Sequence, residues 1–156
     1  MAQLYFDMRS LGYNARRPLN AGKIADRTFV SLDENTIVAE GAKAMYQNEG
    51  CSIIVTRNDP KSGSRIPVGI ITERDIIFRI VAQNRGPFKV MLKDIMSGPL
   101  ITVYSDATAE EALSIMKEKN INRLPILSRK GAIVGLLTAK SLVRKVPLDK
   151  SARSEA

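Results

Sequence analysis

The chain has 156 residues, 44% apolar and 26% charged, enough for one compact domain or two small ones sharing a core. Lys and Arg outnumber Asp and Glu by 24 to 16, and the formal charge of +8 favours partners that carry phosphate: nucleotides, nucleic acid or anionic membranes. His is absent and Cys51 is the single cysteine, which removes the commonest general base, the commonest metal ligand, an intramolecular disulfide and a cysteine-based zinc site.

In chain order, residues 1–20 include Arg16, Arg17 and Pro18 and show no clear period, so they read as an arm or a short leading helix. They carry charge early and lack the apolar run of a secretory signal. No stretch elsewhere is long and apolar enough for a membrane span, so a soluble cytoplasmic protein is expected.

From residue 21 a repeat governs the pattern. Residues 30–45, from Val30 to Met45, superimpose without a gap on residues 101–116, from Ile101 to Met116, 71 positions later. Each begins as a short alternating strand, passes polar turn residues and enters a helical pattern. In the second, Ala109, Ala112, Leu113 and Met116 share one helical face, and Thr108 and Glu111 have the spacing of a capping box. Residues 52–55 then match residues 123–126 as buried-strand candidates. Val68 to Thr72 match Val134 to Thr138, now 66 positions apart. The five-residue difference falls in 57–67, a stretch of turn residues that predicts a long hairpin connection. A second helix is expected from Glu73 to about Ala82, and from Ala139 to about Val146.

Each repeat thus reads strand, helix, strand, strand, helix. The first spans 21–82 and the second 91–146. Residues 83–90, with Gly86 and Pro87, form a linker, and 147–156 form a polar tail expected to fray. A three-stranded sheet with one bare apolar face cannot stand alone. Two copies about a pseudo-twofold axis, sheet against sheet, solve that problem. The expected fold class is therefore α/β (α+β), with tandem β-α-β-β-α repeats.

Two such units in tandem, each with an apolar strand, a Gly, two apolar residues, a Thr and a helix, resemble the cystathionine-β-synthase (CBS) domain pair, or Bateman module. The resemblance covers about residues 23–82 and 91–146. It implies a stand-alone regulatory module with no catalytic residue, no metal and no obligatory cofactor. Its implied ligand is AMP, ADP, ATP, S-adenosylmethionine or a similar adenosyl compound, bound in clefts between the repeats. A homodimer and an unidentified protein target are implied as partners.

The first site implied comprises Gly69, Ile71, Thr72, Arg74 and Asp75. Gly69 permits close approach. Thr72, with the free amides of the first helical turn, suits a phosphate or ribose. Asp75, one turn later, offers acceptors to two ribose hydroxyls. The same Thr and Asp also suit a helix cap and its dipole, but the second repeat keeps Thr138 and has Ser141 in place of Asp75, so the shared Thr suits the cap and Asp75 is expected to be needed by a ligand rather than by the fold. By resemblance Lys93, Ile95, Met96, Ile121, Asn122 and Arg123 complete this cleft, Arg123 at a phosphate-facing position. The second, weaker cleft comprises Lys23, Ile24, Ala25, Gly50, Cys51, Thr138, Lys140 and Ser141, with Ser141 where the first repeat has Asp75 and Ser52 where the second has Arg123. An alternative from the +8 charge is a nucleic-acid-associated accessory protein. It lacks an aromatic platform and a reading motif.

Overall fold

The computed structural model describes residues 18–145. Most of the expected arm (1–17) and the whole tail, from residue 146, lie outside the described residues. In chain order the elements are α1 Ala21–Ile24, β1 Phe29–Asp33, α2 Val38–Gln47, β2 Ser52–Asn58, β3 Arg65–Ile71, α3 Glu73–Ile76, β4 Val103–Tyr104, α4 Ala109–Glu118, β5 Arg123–Leu127, β6 Ile133–Thr138 and α5 Ala139–Lys145. They form two compact units. One is residues 28–101; the other joins residues 18–27 to residues 102–145.

In the unit 28–101, β1 and β2 run parallel and β2 and β3 antiparallel, in the order β1-β2-β3. Parallel neighbours need a crossover, which α2 supplies. β2 is the central strand and is buried from Ser52 to Thr56, as its apolar run requires. α2 turns Val38, Gly41 and Met45 inward at helical spacing. Residues 90–97 close this core from outside the sheet. Leu92 and Ile95 pack with Val38, Ile53 and Ile71, each such buried Leu or Ile contributing about 1.5–3 kcal/mol. Gly41 must be small, because a Cβ there would lie 2.9 Å from a Leu92 methyl. Main-chain bonds fix this leader segment, residues 90–97: the Val38 amide to the Val90 carbonyl (2.8 Å), the Leu92 amide to the Thr36 carbonyl (2.8 Å), and a reciprocal pair between Ile70 and Ser97 (3.1 and 3.0 Å).

Two expectations for this unit need correction. The connection 57–67 is shorter than predicted, because β2 runs through Asn58 and β3 starts at Arg65, leaving a turn at 59–64. Arg57 on Glu34 (2.8 Å) and Arg65 on Asp33 (3.2 Å) tie the extended strands to the β1–α2 turn, and a bulge at Val55/Thr56 absorbs the register change. The helix after β3 is also not uniform. α3 ends at Ile76 and continues as a π-helical turn, Ile77–Val81, with the Ala82 amide bonded to the Ile77 carbonyl (2.8 Å). Ile80 is buried there, whereas Ile77, Phe78 and Val81 are exposed.

In the other unit, β4-β5-β6 repeats the sheet order, although β4 is only two residues long. α4 carries the expected cap: the Glu111 amide donates to Thr108 Oγ1 (3.1 Å) and the Thr108 amide to Glu111 Oε2 (2.9 Å). Ala109, Ala112 and Met116 are buried, and Leu113 is half-buried. The leader of this unit is residues 19–26. The Ala109 amide bonds the Leu19 carbonyl (2.8 Å), the Ala21 amide the Ala107 carbonyl (2.8 Å), and Asp26 and Leu136 exchange two bonds (2.8 and 2.7 Å). Shifted by 71 positions in the leader, these are the bonds made by residues 90–97. The sequence repeats and the compact units therefore divide the chain differently: each unit takes its leader from the start of the other repeat.

Candidate functional site

In the unit 28–101, β3 ends at Ile71 and Thr72 leads directly into α3. Asp75 Oδ2 accepts from the Thr72 amide (2.8 Å) and from the Thr72 hydroxyl (3.0 Å). The cap reading is thus realised, and Asp75 is not spare to the architecture, contrary to the view that only a ligand would need it. Its other oxygen, Oδ1, stands 3.6 Å from the Arg79 guanidinium, one turn on. The Asp75 side chain is 17% exposed, so the carboxylate is mostly covered but still reached from the surface. Gly69 is buried, and a Cβ on it would lie 2.5 Å from Met96 Sδ. The leader residue Met96 therefore sits where a side chain on Gly69 would stand. Gly69 thus meets Met96, and Thr72 meets Asp75.

Other members of the first group have different roles. Ile71 and Ile95 are fully buried core side chains. Arg74 is exposed, with its guanidinium 5.1 Å from the Phe78 ring centroid. Lys93 is exposed, hydrogen-bonds Asn35 (2.9 Å), and lines with Met96, Arg57 and Val68 an open cavity of about 520 Å³. Ile121, Asn122 and Arg123 belong to the other unit. There Arg123 opens β5 in register with Thr138 on β6. Antiparallel partners project side chains to the same face, so within its unit the basic group expected with Asp75 is a neighbour of Thr138.

The unit holding Thr138 repeats the geometry with different chemistry. A Cβ on Gly135 would lie 2.8 Å from Ala25 Cβ and 3.1 Å from the Asp26 carbonyl. The Thr138 amide donates to Ser141 Oγ (2.8 Å), the Ser141 amide to Thr138 Oγ1 (3.1 Å), and the Ser141 hydroxyl to the Thr138 carbonyl (2.8 Å). Ser141 is fully buried, with its oxygen wholly engaged in the cap. Ile24 and Ala25 are buried, and Lys23 and Lys140 exposed. Gly50 and Cys51 lie in the unit 28–101. Cys51 is buried, and that burial pushes its thiol pKa up.

Sequence reasoning missed two residues. Arg79 donates to the Ile95 carbonyl and to Ser97 Oγ (3.2 Å). Lys145 donates to the Ala25 carbonyl (2.7 Å) and pairs with Asp26 (3.0 Å). The signal was present: both stand four residues after Asp75 and Ser141 and match at the 66-position spacing. Among the described residues no group of three His, Cys, Asp or Glu side chains could hold a metal, and no helix is long and apolar enough to cross a membrane.

The comparisons with known proteins bear on the family and the fold. A model of the CBS domain matches residues 21–82 and 92–148. An uncharacterized protein of Methanopyrus kandleri is 34% identical over 132 residues, 84% of this chain and 64% of that protein. Inosine-5'-monophosphate dehydrogenase of Korarchaeum cryptofilum is 33% identical over 118 residues, 74% of this chain but 22% of the enzyme. The chain thus spans less than two thirds of the length of either relative. Among solved structures, a CBS domain protein of Pyrobaculum aerophilum complexed with AMP is similar with a TM-score of 0.65 at 29% identity, covering 79% of this chain and 89% of that one. With the doubled sheet order and the matched repeats, these findings place the chain in the CBS-domain family.

Proposed function

We propose that this chain is a non-catalytic regulatory module that binds an adenine nucleotide or a related adenosyl ligand. The observation that carries the reading is Asp75: a partly exposed carboxylate at the start of a helix, one oxygen held by Thr72 and the other 3.6 Å from the Arg79 guanidinium, with acceptor capacity beyond those contacts. Such an acceptor, fixed beside free helical amides, suits the vicinal hydroxyls of a ribose with its phosphate nearby. Met96 over Gly69 supplies an apolar, polarisable surface for a base. Likeness to an AMP-complexed relative supports the same class of ligand. The absence of His from the whole chain, with its single Cys buried, supports a binding role over a catalytic one.

Ligand binding regulates only if it favours one arrangement of the protein over another, so a protein target would read that difference. The exposed Ile77, Phe78 and Val81 suit self-association as a homodimer. Calorimetric titration with AMP, ADP, ATP and S-adenosylmethionine tests the ligand, and a native mass spectrum tests the subunit count. At least one adenosyl compound is expected to bind; failure of all four at millimolar concentration rejects the reading.

A further inference from the structure

The two basic residues found only in the structure do the same job in two units. Arg79 and Lys145 each stand one turn beyond the residue that caps their helix. Each reaches a main-chain carbonyl of its unit's leader, Ile95 or Ala25, and then a side chain of the next part of that leader, Ser97 or Asp26. Ser97 and Asp26 are also the leader residues that bond the last strand, at Ile70 and Leu136. Each leader is therefore held at one place by two devices, a main-chain bridge and a cationic clamp. The cations Arg79 and Lys145 and the leader side chains Ser97 and Asp26 stand at matched positions, while the carbonyls reached differ by one residue in that register; the recurrence argues against an incidental surface contact.

The clamps differ in one respect. Lys145 finds its carboxylate on the leader itself, Asp26 at 3.0 Å, and the residue one turn before it on its helix is Ser141, which has no charge. Arg79 finds its carboxylate on Asp75, 3.6 Å away on its own helix, while its donors serve the leader. We propose that Arg79 is a positioning residue that couples the Asp75 site to the leader, so that hydroxyl groups of a ligand on Asp75 alter the hold on residues 95–97. This rests on the reading of Asp75 as a ribose anchor. A hydroxyl donated to Asp75 Oδ1 competes with Arg79 for that oxygen, and the guanidinium then shifts its hydrogen bonding toward the Ile95 carbonyl and Ser97. Lys145, with no ligand carboxylate on its helix, holds its leader independently of ligand.

Amide hydrogen exchange on the full chain, with AMP as probe, tests the proposal. Without ligand, Arg79→Ala is expected to speed exchange at residues 95–97 roughly tenfold or more and to leave residues 24–26 unchanged; Lys145→Ala should do the reverse. Arg79→Lys should restore protection at 95–97, since a lysine suffices in the other unit. With AMP, the wild type should change its exchange at 95–97 and not at 24–26. Arg79→Ala, titrated to saturation with affinity weakened about tenfold, should lose that response. Unchanged ligand-free exchange in Arg79→Ala overturns the clamp, and an undiminished AMP response in that variant overturns the coupling. A wild type that binds no AMP overturns the nucleotide reading and the coupling with it, while the clamp still stands or falls on the ligand-free comparison.

Discussion

The start of α3 and the start of α5 share a backbone solution and differ in chemistry. Both follow a strand with a Gly two residues before its apolar end, both begin at a Thr, and in both the third helical residue bonds back to the Thr amide, from Asp75 at 2.8 Å or Ser141 at 2.8 Å. Either oxygen satisfies the orphan amide, so the architecture tolerates both residues. Serine spends its single oxygen on that task and is fully buried. A carboxylate spends one of two, and the second stands 3.6 Å from the Arg79 guanidinium. The comparison thus locates the asymmetry between the repeats in one oxygen atom rather than in the cap.

The sharpest way to break that comparison is to give the first repeat the chemistry of the second. Asp75→Ser is expected to keep the helix start and to weaken AMP binding by tenfold or more, about 1.4 kcal/mol or above. Calorimetric titration reads the affinity and thermal unfolding reads the fold. Binding at wild-type strength would show that the extra oxygen is unused.

The glycines sharpen the comparison through packing. Gly135→Ala places a Cβ against Ala25 and the Asp26 main chain, which cannot move aside, so a loss of about 1–3 kcal/mol is expected in denaturant unfolding. Gly69→Ala meets the flexible Met96 side chain and should cost less, under about 1 kcal/mol. Equal losses would mean that the two leaders are seated alike. Ser141→Ala removes the cap oxygen of α5 and should cost about 1 kcal/mol, read from the same unfolding curves. The smallest effect belongs to Cys51. Because burial raises its thiol pKa, the thiol stays protonated at neutral pH, and alkylation by iodoacetamide should be slow there and rise only in alkaline solution above the ordinary thiol range. Rapid labelling at pH 7 would contradict the buried placement.

The α4 cap at Thr108 and Glu111, the inward face of Ala109, Ala112 and Met116, and the buried run of β2 were legible because local periodicity and cap spacing act over a few residues. The hairpin 57–67 is shorter than its turn-rich composition suggests, and the ion pairs on its strands reach back to Asp33 and Glu34, more than 20 residues away. The π turn at Ile77–Val81 likewise left no mark in the apolar pattern.

The sequence by itself determined the doubled β-α-β-β-α pattern, the glycine and threonine at the end of each third strand, and the Asp75-for-Ser141 difference. Each is a property of residue type at fixed spacing, and copies of one motif reveal it by alignment. Tertiary structure decided which leader closes which core, that Met96 covers Gly69 while Ala25 covers Gly135, that Arg123 stands beside Thr138, and that Arg79 and Lys145 clamp the leaders. Those pairings depend on side-chain volume and hydrogen-bond geometry between segments far apart in the chain, where no local period constrains the answer.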